Sequence, residues 1–170
     1  MKFITETPRL IIREFTMDDA EAVLHFNLPA EVTQYTDDAG LCQNIDDAKA
    51  IIEHVWLKQY ADFGFARWAV VLKASETVIG FCGFKHEPRI NGVDIGYRFH
   101  PDYWGMGIAT EASQACVDYA RKHLDINTIY GTSMPENFAS SHVLKKLGMQ
   151  FVGQHKQDDL LFDCYRMDLR

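Results

Sequence analysis

His100-Pro101-Asp102-Tyr103-Trp104-Gly105-Met106-Gly107-Ile108-Ala109-Thr110-Glu111-Ala112 joins a strand-like run, Val93-Asp94-Ile95-Gly96-Tyr97-Arg98-Phe99, to a helix-like run that ends near Lys122. Two glycines one residue apart let the backbone curl tightly, with nothing bulky on the inside of the curl. The residues that follow open a helix, whose first amide groups have no partner within the helix. A curl of bare N–H groups at a helix N-terminus binds anions, phosphates above all. The stretch therefore predicts a strand–loop–helix unit with a pyrophosphate site at its turn.

Two familiar phosphate loops do not fit. A P-loop needs Gly-x-x-x-x-Gly-Lys-Ser/Thr, and the chain has no Gly-Lys pair. A dinucleotide-binding loop needs a third small residue three after the second glycine, where this chain has Thr110. That loop also belongs in the first βα unit, whereas this one lies past the middle of the chain. What remains is a strand, a Pro-containing link, Gly-x-Gly-x-Ala and a helix.

Along the chain, Arg9 to Phe15 alternates loosely and reads as a first strand. Thr16 can cap a helix, with Asp19 at its third position and Ala20, Val23 and Leu24 on one face. Asn44 can cap a longer helix whose apolar face is Ala48, Ile51, Ile52 and Val55. Phe65 to Leu72 and Val78 to Phe84 are β-rich runs on either side of a turn at Ala74-Ser75-Glu76-Thr77. Val93 to Phe99 follows a turn at Asn91-Gly92. The helix after the glycine loop presents Ala112, Ala115, Cys116 and Tyr119 to the core. Asn127 to Ser133 reads as a strand. Asn137 caps a short helix that stops at Gly148, and Phe151–Gln154 with Leu160–Leu169 form a closing hairpin. The order β α α β β β α β α β β predicts a mixed α/β sheet with helices on both faces.

At 170 residues the chain is read as a single domain, residues 1–170. Its 47% apolar and 24% charged residues are ordinary for a globular protein. The net charge of −7 argues against nucleic-acid binding. Cys42, Cys82, Cys116 and Cys164 lie far apart without a Cys-x-x-Cys pair, so free thiols in a reducing compartment are expected. The seven histidines include no pair at i, i+4, and no metal site is expected. The first residues lack the apolar core of a signal peptide and no run is long enough to span a membrane, which predicts a cytoplasmic protein.

Four stretches taken together resemble the GNAT superfamily of N-acetyltransferases. The closer likeness is to the branch of ribosomal-protein N-terminal acetyltransferases of the RimJ/RimL type. They are Thr7-Pro8-Arg9-Leu10-Ile11-Ile12-Arg13; Trp68-Ala69-Val70-Val71 with Val78-Ile79-Gly80; Ile95 to Phe99 with Tyr103 to Ala112; and Asn137-Phe138-Ala139-Ser140 with Val143 to Met149. The likeness runs from about Thr7 to the C-terminus. It implies an α/β sheet splayed at its two central parallel strands, Val93–Phe99 and Asn127–Ser133. It implies acetyl-CoA as co-substrate and an amine acceptor, either a protein N-terminus or a small molecule; charge and composition add the expectation of no nucleic acid and no membrane. Homodimers are frequent in the family. Backbone groups of Tyr97, Arg98 and Phe99 would pair with the pantetheine arm as an added strand. Amides of Gly105, Met106, Gly107, Ile108, Ala109 and Thr110 would cradle the pyrophosphate. Asn137 would hydrogen-bond the arm, and the Phe99 N–H would meet the oxyanion.

The chain departs from the family in two places. Trp104 stands where the superfamily loop often has Gln or Arg, and is a marker of the RimL-like branch. Leu144 stands where many members carry a tyrosine acid, seven residues after the asparagine. Ser140, the branch's candidate acid, is the expected hydrogen-bond donor to the leaving thiolate, and equally a helix-turn residue. An amine acceptor arrives as ammonium and must lose a proton. Asp94 on the splayed strand is the candidate base, with Glu87, Glu136, His86 or a water chain as alternatives. Glu111, beside a pyrophosphate, is expected to point away and be structural. The aromatics Phe63, Phe65, Trp68, Tyr97 and Phe99 either wall an acceptor pocket or fill the core. The expected reaction is direct attack of a primary amine on the thioester. The competing reading is a non-catalytic acyl-CoA-binding module of the same fold.

Overall fold

Eight strands form one sheet in the computed structural model, which describes residues 1–170. They are β1 (Phe3–Glu6), β2 (Leu10–Arg13), β3 (Arg67–Leu72), β4 (Thr77–Glu87), β5 (Gly92–Phe99), β6 (Thr128–Ser133), β7 (Gln150–Gln157) and β8 (Leu160–Asp168). Their order across the sheet is β1-β2-β3-β4-β5-β6-β8-β7. Every neighbouring pair is antiparallel except β5 and β6.

The helices are α1 (Ala20–Asn27), α2 (Ile45–Ile51), α3 (Lys58–Phe63), α4 (Ile108–His123) and α5 (Phe138–Lys146). They cover both faces, as the alternation of inward residues requires. On one face, Ile108, Ala112 and Cys116 of α4 and Leu144 of α5 pack on Leu10, Ile12, Trp68, Phe84 and Ile129. On the other, Val23 and Phe26 of α1 and Ala48 of α2 pack with Phe15, Ile52 and Trp56. Burying each large apolar side chain contributes about 1.5–3 kcal/mol. The four cysteines are free thiols. No helix is long and apolar enough to cross a membrane.

The caps fall where the sequence puts them. Asn44 accepts the Asp47 N–H at 2.9 Å, and Asn137 accepts the Ser140 N–H at 3.2 Å. Gly148 follows α5 with φ +86°, the left-handed turn that glycine permits. Two elements differ from expectation. β1 is an additional edge strand, four residues long, with only Ile4 buried. The second helix buries Trp56, not Val55, which is 40% exposed. The cause is a π-helical segment, Ile52–Leu57, that joins α2 to α3 without a break. Its wider i→i+5 turn brings the inward position round one residue later. Trp56 then stacks on Phe15 at 4.1 Å. Tyr60 donates its hydroxyl to the Arg67 carbonyl at 2.6 Å and accepts the Phe15 N–H at 3.2 Å.

Candidate active site

β5 and β6 pair at only two positions, Val93 with Ile129 and Asp94 with Tyr130. Beyond these the two strands separate. β4 matches β5 residue by residue from Gly92 to Phe99, and β8 matches β6 from Thr128 to Ser133. The gap is therefore held open in the middle of the sheet by an unbroken ladder on each side.

Antiparallel ladders alternate, so every second residue of β5 turns its N–H and C=O away from β4. The His100 N–H donates to the Ile79 carbonyl on the β4 side, and the Arg98 carbonyl lies against Gly80. By that alternation Tyr97 and Phe99 face the gap. The Phe99 carbonyl is taken by the Trp104 indole N–H at 2.8 Å. The N–H of Phe99 and both groups of Tyr97 have no β6 partner. Arg98, expected to join them through its backbone, turns those groups to β4 instead. Its side chain donates to Asn27 Oδ1 at 2.6 Å and to Asp38 Oδ1 at 2.9 Å, and so ties residues 28–44 to the sheet. Burial raises the Asp38 carboxyl, but Arg98 outweighs it and holds the pKa below its ordinary value.

At the end of β5 the chain enters the glycine curl. Gly105 and Gly107 have φ +72° and +76°, the left-handed region where other residues are strained. Gly107 is the N-cap of α4 and has no side chain to cover the first turn. The first amide of α4 with a helical acceptor is that of Glu111, which donates to the Gly107 carbonyl at 3.0 Å. The amides of Ile108, Ala109 and Thr110 thus stand at the positive end of a 16-residue helix with no acceptor in it. Trp104 to Gly107 are exposed. These residues suit a diphosphate: open space, bare amides and a helix dipole of the right sign.

Glu111 is held by the link between β1 and β2. Thr7 Oγ1 donates to it at 2.5 Å and Arg9 Nε at 2.7 Å. Burial pulls the Glu111 carboxyl up, but these donors outweigh it and hold its pKa below the ordinary range.

Across the gap, α5 brings Ser140 to Tyr97. The Tyr97 hydroxyl donates to the Ser140 carbonyl at 2.9 Å and lies 3.0 Å from Ser140 Oγ. Burial keeps the Tyr97 phenol protonated, well above its ordinary pKa. Leu144 is 1% exposed and packs on Gly131, where even a Cβ would meet it at 2.7 Å. Leu144, at the position where the resemblance implies a tyrosine acid, is core here, not cleft. Ser133, at the end of β6, has a buried hydroxyl without a partner.

Asp94 lies on the sheet face opposite Tyr97, because neighbouring positions of opposite parity point opposite ways. Arg67 Nη2 donates to its Oδ2 at 2.9 Å, while Oδ1 is buried without a partner. The alternatives are placed elsewhere. Glu87 pairs with Lys85 at 3.0 Å. Burial raises the Glu87 carboxyl, but the Lys85 pairing outweighs it and lowers the pKa. His86 stacks on Phe63 at 4.7 Å, and Glu136 is exposed. Glu87 and His86 pair with the closed end of β5, at Gly92 and Val93, and Asp94, paired with Tyr130, is the last residue before the strands part. Of the aromatics, Phe65, Trp68 and Phe99 are core, whereas Phe63 is 44% exposed. Two open grooves lie away from the gap's open end, one beside Thr7 and Lys122, the other beside Phe63 and Tyr130.

The sequence and the fold are similar to those of known proteins. A family model described as Acetyltransferase (GNAT) domain matches residues 9–150. The uncharacterized N-acetyltransferase YnaD of Bacillus subtilis is 32% identical over 151 residues, covering 89% of this chain and 85% of that protein. The uncharacterized N-acetyltransferase p20 of Bacillus licheniformis is 30% identical over 171 residues, covering 96% and 93%. A GNAT-family acetyltransferase structure from Bacillus anthracis aligns with TM-score 0.79 at 27% identity, covering 96% and 95%. RimL, a ribosomal L7/L12 alpha-N-protein acetyltransferase in complex with coenzyme A, aligns with TM-score 0.86 at 17% identity over 98% of both chains, a likeness of fold. A sheet parted at its one parallel pair, a bare amide curl at the next helix, and relatives along nearly the whole length agree: the chain belongs to the GNAT family of acetyltransferases and is an N-acetyltransferase.

Proposed function

We propose that this enzyme transfers the acetyl group of acetyl-CoA to a primary amine by direct attack, with no covalent enzyme intermediate. The parting of β5 from β6 after two residue pairs carries the reading. Unpaired strand groups in a protein interior are costly, and a linear diamide such as pantetheine supplies the missing partners. In this reading Tyr97 and Phe99 hold the arm, with the side-chain amide of Asn137 beside it. Gly105 to Thr110 hold the diphosphate. Asp94 and Ser140 then flank the gap from opposite faces. The amine enters on the Asp94 face and gives up its proton there, directly or through water, to the free Oδ1. Arg67 occupies Oδ2, so Oδ1 is the oxygen left to meet the amine or a relay water. The thiolate leaves toward Ser140, whose hydroxyl is steadied by Tyr97. A neutral hydroxyl supports a thiolate without protonating it strongly, so its effect is modest.

The acceptor we favour is a protein α-amino group, on the resemblance to the RimJ/RimL branch and the fold shared with RimL. A small amine is the second reading. It draws on a shorter likeness to the spermidine N(1)-acetyltransferase of Escherichia coli, 30% identical over 70 residues. Coenzyme A at about a hundred times Kd should stabilise the fold by about 2.7 kcal/mol. Release of thiol from acetyl-CoA is then followed with N-terminal peptides and polyamines as acceptors. Turnover with peptides alone supports the first acceptor and turnover with polyamines alone the second. No thermal shift at millimolar coenzyme A would end the reading altogether.

A further inference from the structure

The link between β1 and β2 reaches across to the glycine curl and grips it. Arg9 Nη1 donates to the Met106 carbonyl at 2.9 Å. The rest of the guanidinium is held by Glu111, with Nε at 2.7 Å and Nη2 at 2.6 Å from the same oxygen. The other Glu111 oxygen takes Thr7 Oγ1 at 2.5 Å and the Arg9 backbone N–H at 3.4 Å. Arg9 is thus fixed on the first turn of α4 and points its remaining donor at one carbonyl of the loop.

That carbonyl belongs to a peptide with a choice. Glycines at 105 and 107, both at positive φ, flank Met106. A peptide next to glycine can turn over at little steric cost. No peptide in the chain is cis. In a planar trans peptide the C=O of one residue and the N–H of the next point in opposite directions. Holding the Met106 carbonyl on the Arg9 side therefore sends the Gly107 N–H the other way, beside the free amides of Ile108, Ala109 and Thr110. We propose that Arg9 is a positioning residue for the diphosphate cradle, acting by fixing the orientation of the Met106–Gly107 peptide. The inference rests on the coenzyme A reading of this loop. Its charge is already matched by Glu111, so Arg9 works through the shape of its fork and not as a free cation. A lysine ammonium cannot span both acceptors in the same geometry.

The test compares coenzyme A with pantetheine, which lacks the diphosphate, on the wild type, Arg9→Gln and Arg9→Lys by calorimetric titration. A hydrogen bond from a charged donor is the interaction lost, so both variants should bind coenzyme A about tenfold to a hundredfold more weakly. Their pantetheine affinity should match the wild type. Amide exchange at Gly107 should slow on coenzyme A binding in the wild type and not in the variants. If Arg9→Lys binds coenzyme A like the wild type, charge suffices and the proposal fails. It fails equally if both ligands weaken together, which marks a role in the fold, or if Arg9→Gln changes nothing. A wild type that binds pantetheine but gains nothing from the diphosphate overturns the reading of the loop itself.

Discussion

Replacing Gly107 by valine should weaken coenzyme A binding while leaving the fold intact, and the size of the loss follows from the backbone alone. A Cβ at Gly107 would have no closer neighbour than Arg9 Nη2 at 3.7 Å, an ordinary contact, so nothing in the protein needs to move for it. The penalty lies in φ +76°. For an L-residue the left-handed conformation costs about 1–2 kcal/mol, and a β-branched one tolerates it least. The empty loop relaxes by turning the Met106–Gly107 peptide off Arg9, which gives up one exposed hydrogen bond and lowers the melting temperature only slightly. Binding then requires the strained shape to be restored, and about 1–2 kcal/mol becomes a fall in affinity of about 5–30-fold. Gly107→Asn is the control, because asparagine visits this region with far less strain. Calorimetric titration with coenzyme A should rank wild type first, asparagine close behind and valine well below. Valine binding within about twofold of the wild type would refute the argument. So would asparagine falling as far as valine, since bulk and not backbone conformation would then be responsible.

Two further outcomes concern the chemistry. Asp94→Asn should lower kcat/KM by about a hundredfold without altering coenzyme A affinity, and the loss should shrink at high pH as free amine replaces ammonium; equal activity at neutral pH removes Asp94 from the proton path. Ser140→Ala and Tyr97→Phe should each cost less than about tenfold in kcat, and the double variant should lose no more than the larger single loss, since the two hydroxyls act as one donor; strictly multiplicative losses would show that they act separately.

The parts of the fold legible in the sequence are those written in consecutive residues. The glycine curl, the Asn44 and Asn137 caps and the alternating strands that flank the gap each depend on neighbours a few positions apart. β1 was not legible because four residues with one buried side chain make no alternation to read. The displaced face at Trp56 escaped because a π turn changes the helical period without changing composition. The site's side chains were legible as candidates and not as contacts. Asp94 finds Arg67 across 27 positions, Tyr97 finds Ser140 across 43, and Arg9 finds Met106 across 97. Such pairings are set by how strands stack side by side, and no local spacing encodes them. Leu144 shows the same limit. In sequence it reads as a missing acid, and only its packing on Gly131 reveals an ordinary core residue.

The π turn between α2 and α3 has a consequence for how the length of this chain can vary among its relatives. A stretch of i→i+5 bonds holds one residue more than an α-helix over the same path. Removing one exposed residue there, Glu53 or His54, closes the turn to ordinary α geometry and leaves Ile52, Trp56 and Tyr60 on one face at spacings of three and four. The same deletion within α2 or α3 would swing everything beyond it through about 100°, carrying Tyr60 away from Phe15 and Arg67. Insertions and deletions in this helix therefore have one place where geometry absorbs them, a seam already opened by a single extra residue.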